Sequence, residues 1–288
     1  MNMDVLELKN IFSIINKYDV FLFDIWGVIT DGEMPYEGVT DIINKIMEEK
    51  KVFFVSNAPR TSLSIYEKIK KWKINVSPEM IITSGEIARR MINESEGNFN
   101  IIDPVIYHLG HDRNNNIMSG MTHNVTTNIH EANIMLMTYY RDEGENLEEL
   151  NDLLKNAAKL NIINICANPD IIAPNLGKSR YCSGYFAAKL EEYGGSVVYT
   201  GKPHNEIFEY VISKLYAIPK NRILMIGDTF HTDILGANRI GIDSALVLTG
   251  NAKIFHKQYY NIDEKLTHLK IASLKEGATP TFVLTLTS

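Results

Sequence analysis

A short apolar run that ends in an aspartate constrains the fold of this chain more than any other stretch. Val20 to Phe23 is followed by Asp24 and, three residues later, by Gly27. The run is rich in aromatic and branched residues and is too short for a typical helix, which predicts a strand buried on both faces of a parallel sheet. A carboxylate at the carboxyl end of such a strand lies where open α/β sheets bind ligands. Alternatively, Asp24 only caps a turn, because aspartate is common in turns.

The residues around this run alternate between helical and strand patterns. Apolar residues recur at helical spacing over residues 5–17, 38–50 and 64–73, whereas residues 52–55 and 80–83 form short apolar runs. Helices that alternate with buried strands are typical of a doubly wound, Rossmann-like parallel sheet. We therefore predict an α/β fold for this part of the chain.

The middle of the chain has a different composition, which predicts a second domain. From about residue 86 the sequence is richer in Asn and Gly, with strands predicted at residues 105–109 and 162–167 and a helix at residues 147–160. These elements predict a second α/β unit that is inserted into the first. The predicted core comprises residues 1–85 and 196–288, and the predicted inserted domain comprises residues 86–195.

The first pattern is predicted to return after the insert. Residues 197–199 and 222–228 are apolar runs that we assign to strands of the same core sheet. Lys202 follows the first of these runs, and Asp228 ends the second. Residues 281–284 could add an edge strand near the end of the chain.

Composition and charge exclude several classes of function. The chain has 288 residues, a formal net charge of −6 and no block rich in Lys and Arg, which argues against nucleic acid as a partner. Its 2 cysteines are too few for a disulfide framework and fit a reducing compartment. No apolar run approaches the length of a membrane span, and the first residues lack a signal-peptide pattern. We therefore expect a cytoplasmic protein with no membrane partner.

Polar residues follow four of the predicted strands. They are Asp24, the pair Ser56 and Asn57, Lys202, and Asp228 with Asp233 nearby. If the strands are parallel neighbours, these side chains gather at one edge of one sheet. Carboxylates in such proximity repel one another, and an oxygen-bound Mg²⁺ is the simplest neutraliser. A lysine can keep a nucleophilic aspartate ionised, and Ser and Asn can donate to phosphoryl oxygens. The pattern predicts phosphoryl transfer to a carboxylate.

These segments resemble the four motifs of the haloacid-dehalogenase-like (HAD) superfamily. The matching stretches are Asp24-Ile25-Trp26-Gly27-Val28, Ser56-Asn57, Gly201-Lys202-Pro203-His204 and Gly227-Asp228-Thr229-Phe230-His231-Thr232-Asp233. The long insert between the second and third stretches resembles class IIA, the NagD-like group. The resemblance implies a HAD-like fold and a phosphatase that acts through an aspartyl-phosphate intermediate.

The resemblance also implies which residues hold Mg²⁺. Asp24 would be both the nucleophile and a metal ligand, and residue 26 would contribute its backbone carbonyl oxygen. Asp228 would be the second carboxylate ligand. Asp233 would be a further ligand or would contact one.

The remaining matched residues would bind the substrate. Ser56 and Asn57 would bind the phosphoryl group, and Lys202 would orient Asp24 and the phosphate. The insert would act as a cap over a small phosphorylated metabolite, with Asp170 in the loop that faces the active site. Capped members of this group often pair through their caps, so a homodimer is a further expectation.

One position departs from the family pattern. Family phosphatases usually carry a second aspartate two residues after the nucleophile, which protonates the leaving alcohol and then activates water, and Trp26 occupies that position here. Indole can do neither task, and loss of a general acid/base costs roughly 10²–10⁴ in rate. The chain would therefore be a slow phosphatase, or one that uses a substitute such as Asp31, Asp170 or a group of the substrate. A substrate with a good leaving group would need the acid less.

Two other functions stay open at this stage. Trp26 favours a phospho-ligand-binding protein that keeps the metal site and has weak or no turnover. An aromatic residue at this position also resembles the metal-independent dehalogenase branch, although that chemistry has no use for Asp228 and Asp233. The identity of the substrate is not predicted, because the cap sets it and the fold does not.

Overall fold

The computed structural model describes residues 8–142, 146–175, 178–258 and 261–286. The chain forms two compact units. The first comprises residues 1–56, 63–82 and 208–288, and the second comprises residues 57–62 and 83–207. Within the described ranges, no helix combines the length and the apolar character needed to cross a bilayer.

The strands are numbered in chain order. They are β1 (Leu8–Asn10), β2 (Val20–Phe23), β3 (Lys51–Ser56), β4 (Ile81–Thr83), β5 (Val105–Leu109), β6 (Asn124–Thr126), β7 (Ile134–Met137), β8 (Arg141–Asp142), β9 (Ile163–Cys166), β10 (Ile172–Asn175), β11 (Lys178–Tyr181), β12 (Val197–Tyr199), β13 (Ile223–Gly227), β14 (Asp243–Val247) and β15 (Phe282–Thr285).

The α-helices are numbered in the same way. They are α1 (Ile11–Ile14), α2 (Val39–Met47), α3 (Ser62–Ile69), α4 (Ser84–Asn93), α5 (Ser95–Phe99), α6 (Glu148–Ala157), α7 (Ser183–Glu192), α8 (Asn205–Ser213), α9 (Leu235–Ile240), α10 (Lys253–Gln258) and α11 (Ile262–Glu276). A π-helical turn, Phe230–Ile234, leads directly into α9. Short 3₁₀ turns occupy Ile15–Lys17, Lys70–Trp72, Pro78–Met80, Asp112–Met118, Ile129–Glu131, Lys220–Arg222 and Gly250–Ala252.

The first unit is built on a parallel sheet. Among the described residues the sheet has the order β1-β15-β14-β13-β2-β3-β4. Its central strands β2 and β13 are fully buried, as expected for apolar runs that are covered on both faces. Helix α2 buries Val39, Ile43 and Ile46 at helical spacing. This arrangement confirms the predicted Rossmann-like parallel core.

The second unit has its own parallel sheet. Its described strands follow the order β12-β9-β7-β5-β6, and a separate antiparallel sheet has the order β10-β11-β8. One face of the parallel sheet packs on α6 and α7 through residues such as Met137, Leu154 and Phe186. The other face packs on α4 through Ile92 and Leu136. The predicted inserted α/β sheet is therefore confirmed, whereas the predicted domain limits, residues 1–85 with 196–288 and residues 86–195, stay a prediction.

The strand after the insert does not join the sheet that the sequence predicted. Strand β12 pairs with β9, with Val198 opposite Ile165, and so belongs to the sheet of the second unit. The residues of β12 are only half-buried, as expected at a sheet edge. An apolar run of this length indicates a strand but not its partner. The prediction that all four polar strand ends lie on one sheet is therefore wrong for the strand before Lys202.

Both ends of the chain also differ from the predictions. Residues 5–17 were predicted to be one helix; residues 5–7 lie outside the described residues, and Leu8 begins a strand that pairs with β15. The side chain of Asn10 then accepts a hydrogen bond from the N–H of Phe12 and caps α1. Strand β15 is not an edge strand, because it lies between β1 and β14. In both cases the pairing of two distant segments decides the local structure.

Candidate active site

Two aspartates follow neighbouring strands in the centre of the first sheet. Strands β2 and β13 are parallel, and Phe23 lies opposite Ile226. The backbone N–H of Asp24 donates to the carbonyl of Ile226 at 2.9 Å, which continues the ladder by one residue. Asp228 follows directly after β13. The sheet therefore brings the two carboxylates to the same edge, as the sequence predicted.

A third aspartate reaches the same point from a helical turn. Asp233 lies in the π-helical turn, and its backbone N–H donates to the carbonyl of Thr229 at 3.1 Å. The N–H of Thr229 in turn donates to Oδ2 of Asp233 at 3.2 Å. One carboxylate oxygen from each of Asp24, Asp228 and Asp233 lies within 4.8 Å of the others. All three side chains are buried, with at most 6% of their surface exposed.

The backbone around Asp228 has glycine at its two closest approaches. Gly27 and Gly250 have φ angles of +89° and +48°, and a Cβ on either residue would overlap the carboxylate of Asp228. The next residue, Asn251, donates its backbone N–H to Oδ2 of Asp228 at 2.5 Å. The hydroxyl of Thr229 donates to Oδ1 at 3.0 Å. These contacts fix the direction of the Asp228 carboxylate.

The three aspartates fit a hard divalent cation. Buried carboxylates at this separation repel each other, and a cation with oxygen ligands offsets that repulsion. The sequence also predicted the backbone carbonyl oxygen of Trp26 as a ligand, and this stays a prediction. Trp26 and Thr30 form an isolated bridge. Its hydrogen bonds run from the N–H of Gly27 to the carbonyl of Thr30 and from the N–H of Thr30 to the carbonyl of Ile25. Within the described part of the chain, no hydrogen bond ends on the carbonyl oxygen of Trp26. The three carboxylates are thus consistent with a metal site.

The indole of Trp26 is held by a second tryptophan and a lysine. The rings of Trp26 and Trp72 meet edge to face, with centroids 6.5 Å apart. The ammonium of Lys68 lies 4.3 Å from the centroid of the Trp26 ring and donates to the carbonyl of Gly32 at 2.8 Å. The indole N–H of Trp72 donates to the carbonyl of Glu33 at 2.8 Å. Position 26, where the resemblance implies an acid, is therefore filled by an aromatic side chain that is held in place.

Another predicted site residue organises a separate cluster in the second unit. The amide of Asn57 donates to Oδ1 of Asp170 at 2.8 Å and to the carbonyl of Lys202 at 2.9 Å. Its own oxygen accepts from the backbone N–H of Lys202 at 2.8 Å. Asn57 and Lys202 are buried. Three residues that are far apart in sequence are thus linked through one amide side chain.

The remaining predicted residues have simpler positions. Ser56 ends β3 and is fully buried. Because Phe54 lies opposite Phe23, Ser56 follows the paired region at the same edge of the sheet as Asp24. Asp31 is exposed in the loop between β2 and α2. The structure thus groups Asp24, Asp228 and Asp233 at one point.

The sequence did not predict the loop after β14. Gly250 and Asn251 lie against Asp228, and the hydroxyl of Thr249 donates to the carbonyl of Gly27 at 2.5 Å. The Thr249-Gly250 pair shortly after the buried strand β14 was the available signal. Trp72 is buried, and the sequence did not predict its contact with Trp26. Neither contact can be derived from spacing, because each joins segments that are distant in sequence.

Comparisons with known proteins agree on one family. The model of the family described as haloacid dehalogenase-like hydrolase matches residues 18–241. An acid sugar phosphatase of Staphylococcus haemolyticus is 23% identical over 237 residues, which cover 81% of this chain and 86% of that protein. The residues matched by the family model include Asp24, Asp228 and Asp233.

Solved structures extend the similarity over nearly the whole chain. A structure described as a possible sugar phosphatase of the HAD superfamily from Cytophaga hutchinsonii is 26% identical, with a TM-score of 0.77 and 97% of both chains covered. A p-nitrophenyl phosphatase from Archaeoglobus fulgidus is 22% identical, with a TM-score of 0.73 and 93% of this chain and 95% of its own chain covered. These findings confirm the resemblance to class IIA, NagD-like chains that the motifs indicated.

Proposed function

This chain belongs to the haloacid dehalogenase-like hydrolase family, and on that premise we propose that it is a Mg²⁺-dependent phosphatase of small phosphorylated metabolites. The observation that carries the proposal is the buried cluster of Asp24, Asp228 and Asp233 at the carboxyl ends of β2 and β13. A cluster of like charges in the protein interior is costly unless it binds a cation. Relatives named acid sugar phosphatase and p-nitrophenyl phosphatase support phosphomonoesters as the substrate class.

Asp24 is the residue that would react. Its carboxylate oxygen would form a bond to phosphorus while the bond from phosphorus to the ester oxygen breaks, and water would then hydrolyse the aspartyl phosphate. The carbonyl of Trp26 and the carboxylates of Asp228 and Asp233 would hold the metal together with Asp24. When bound, Mg²⁺ would offset the negative charge of the nucleophile and of the phosphoryl group.

The phosphoryl group needs donors as well as a metal. Ser56 and Asn57 would donate to its oxygens, and the ammonium of Lys202 would add a positive charge. The hydrogen bonds from Asn57 to Asp170 and to the backbone of Lys202 support a positioning role for this amide. The inserted domain would select the substrate, with Asp170 as one of its residues at the site.

A phospho-ligand-binding protein with weak turnover is the second candidate. The observation that favours it is the fixed contact of Trp26 with Trp72 and Lys68, which leaves no acid at that position. This candidate keeps the metal cluster and the phosphoryl donors, so it differs from the first only in turnover. Measured hydrolysis separates the two.

The test is release of phosphate from a panel of sugar phosphates, p-nitrophenyl phosphate and acetyl phosphate. Each would be measured with Mg²⁺, with a chelator and with the Asp24→Asn variant, which removes the nucleophile. We expect turnover that needs the metal and falls roughly 10⁴-fold or more in the variant. The matched control is Asp41→Asn, because Asp41 is an exposed aspartate in the first turn of α2.

The outcomes distinguish the two candidates. Metal-dependent turnover that survives in Asp41→Asn and is lost in Asp24→Asn supports the phosphatase. Binding of Mg²⁺ and inorganic phosphate without any turnover would replace it with the binding protein. Equal turnover in the Asp24→Asn variant would refute the assignment of the nucleophile.

A further inference from the structure

The backbone of Lys202 is bound on both sides by one amide side chain. Oδ1 of Asn57 accepts from the N–H of Lys202 at 2.8 Å, and Nδ2 of Asn57 donates to the carbonyl of Lys202 at 2.9 Å. Both residues belong to the second unit and are buried, where a backbone N–H and a carbonyl each need a hydrogen-bond partner. Only one orientation of the amide satisfies both bonds. The position of the Lys202 backbone therefore depends on the orientation of the Asn57 side chain.

The orientation of Asn57 depends in turn on an aspartate of the same unit. Nδ2 of Asn57 also donates to Oδ1 of Asp170 at 2.8 Å. An amide nitrogen carries two hydrogens, so the bonds to Asp170 and to the carbonyl of Lys202 use both of them. A donor from Asn57 to a phosphoryl oxygen would therefore be its backbone N–H, and the amide holds protein groups instead. Hydrogen bonds to a carboxylate are stronger than those to a neutral acceptor, so Asp170 is well suited to fix this amide.

The backbone of Asp170 is itself held in place. Its N–H donates to Oδ1 of Asn168 at 3.1 Å, and its carbonyl accepts from the N–H of Gly184 at 3.2 Å. Gly184 lies in the first turn of α7, and a Cβ there would overlap the carbonyl oxygen of Pro169. The carboxylate of Asp170 therefore extends from a loop that is bound to a helix.

A close packing contact joins the same segments. A Cβ on Gly201 would lie 2.5 Å from Oδ1 of Asn57 and 2.7 Å from Cδ of Pro169. The residue before Lys202 thus packs against the amide and against the residue before Asp170. This packing leaves little room for the amide to turn without moving the Lys202 backbone.

The backbone of Lys202 decides where its ammonium lies. The Lys202 side chain is buried, with 2% of its surface exposed. Side chains in a packed interior occupy defined rotamers, so a shift of the backbone shifts the end of the side chain. In the proposed function this ammonium adds a positive charge at the phosphoryl group, and a misplacement of about 1 Å can cost roughly 10²-fold in rate.

We propose that Asp170 is a positioning residue: its carboxylate holds the amide of Asn57, and that amide holds the backbone of Lys202 so that the ammonium is placed at the phosphoryl group. The inference rests on the proposed phosphatase function. It gives Asp170 neither proton transfer nor contact with the leaving group. A positioning role needs an acceptor oxygen at Asp170, whereas an acid needs a proton there.

The test compares Asp170→Ala with Asp170→Asn. Asparagine keeps an oxygen that can accept from Asn57, and alanine does not. We expect kcat/KM to fall roughly 10-fold or more in Asp170→Ala and less than about fivefold in Asp170→Asn, as for losing or weakening a hydrogen bond to a charged group. The fall should be equal for a sugar phosphate, p-nitrophenyl phosphate and acetyl phosphate, because they share the phosphoryl group. Calorimetric titration with inorganic phosphate and Mg²⁺ should show the same order of affinities.

A second background tests whether Asp170 acts through Lys202. In Lys202→Ala no ammonium is left to place, so adding Asp170→Ala should weaken phosphate binding less than about twofold further. A merely structural role would add its full effect in that background. The control is Asp152→Ala, because the Asp152 side chain is 75% exposed and lies in the same unit. It should leave the three rates and the phosphate affinity unchanged.

The outcomes separate this inference from its alternatives. A fall of roughly 10²-fold in Asp170→Asn for the sugar phosphate alone would overturn it in favour of proton transfer. This comparison also decides the matter if Asp170→Ala does not fold. A full further loss in the Lys202→Ala background would overturn it as well. Absence of Asp24-dependent turnover in the wild-type protein would instead contradict the proposed function, and the phosphate titrations would still test the link from Asp170 to Lys202.

Discussion

The two ends of one strand pair carry charge in opposite ways. At the amino ends of β2 and β13, Arg222 binds Asp19 with two hydrogen bonds, from Nε at 2.8 Å and from Nη2 at 2.6 Å. At the carboxyl ends of the same strands lie Asp24 and Asp228, with Asp233 beside them. The first end pairs opposite charges near the surface, and the second gathers like charges in the interior.

The difference shows that the charges at the amino ends of the strands stabilise the fold, whereas those at the carboxyl ends are suited to binding a ligand. The guanidinium of Arg222 lowers the pKa of Asp19 through hydrogen bonds, so that carboxylate is ionised and matched within the chain. The carboxyl end instead has three carboxylates whose repulsion disfavours the folded state and would be relieved by a bound cation. The same two strands hold both groups, so the sheet supplies the spacing and the residue types alone decide the role.

The largest effect is expected from Asp228→Asn. In the wild-type protein, saturating Mg²⁺ should raise the free energy of unfolding by about 2.7 kcal/mol at a hundredfold excess over the dissociation constant. The variant should lose most of this gain, because a carboxylate ligand is gone. Without metal it should be at least as stable as the wild type, because one of three like charges is removed. Thermal unfolding with Mg²⁺ and with a chelator measures both quantities.

The same type of substitution at the amino ends of the strands should have the opposite effect. Asp19→Asn should lower stability without metal and leave the gain from Mg²⁺ unchanged. If Asp228→Asn behaved like Asp19→Asn in both respects, the two ends would not differ in function. The metal assignment would then fail.

An intermediate effect is expected from Gly250→Ala. The added Cβ would overlap the carboxylate of Asp228, and the φ angle of +48° disfavours any side chain. The Asp228 carboxylate must turn away, so we expect the affinity for Mg²⁺ to fall roughly 10–100-fold, as for the loss of other groups that orient a ligand. Calorimetric titration with Mg²⁺ measures this directly.

The matched control separates crowding from backbone strain. Gly277 also has a positive φ angle, +63°, but a Cβ there would meet nothing within 4 Å. Gly277→Ala should therefore cost stability and leave the affinity for Mg²⁺ unchanged. Equal loss of affinity in both variants would mean that backbone strain, and not contact with Asp228, is responsible.

Much of the carboxylate site could be predicted from the sequence. Asp24 and Asp228 each follow an apolar run, and parallel strands bring their carboxyl ends to one edge. The parallel core followed from the alternation of apolar runs and helical spacing. These features are local, because a short window of residues carries each signal.

The features that the sequence did not predict correctly depend on residues that are far away in the chain. Strand β12 is as apolar as a core strand, yet it pairs with β9 in the other sheet. Leu8 to Asn10 have helical spacing with the residues after them, but they form a strand because β15 is available. The contacts of Gly250 with Asp228 and of Trp72 with Trp26 likewise join separate segments. Local patterns indicate which element forms, but they do not indicate which other segment the element pairs with, because that depends on the whole fold.

The smallest effect is expected from the Asp19–Arg222 pair, whose contribution to stability should depend on pH. The pKa of Asp19 is lowered in the folded protein, with the hydrogen bonds from Arg222 as the main cause. The unfolded chain has the ordinary value of about 3.9. The unfolded state therefore binds the proton first as pH falls, so the contribution of the pair is present above that value and is lost as pH falls through the folded-state pKa. Urea unfolding between pH 7 and pH 3 should show that the free energies of unfolding of the wild type and of Arg222→Gln converge as pH falls. The difference between them should be smaller than the two effects above, because the pair is solvent-exposed. A difference that grew toward acid would mean that Arg222 stabilises the strand ends by packing, and the contrast between the two ends would then not be one of charge.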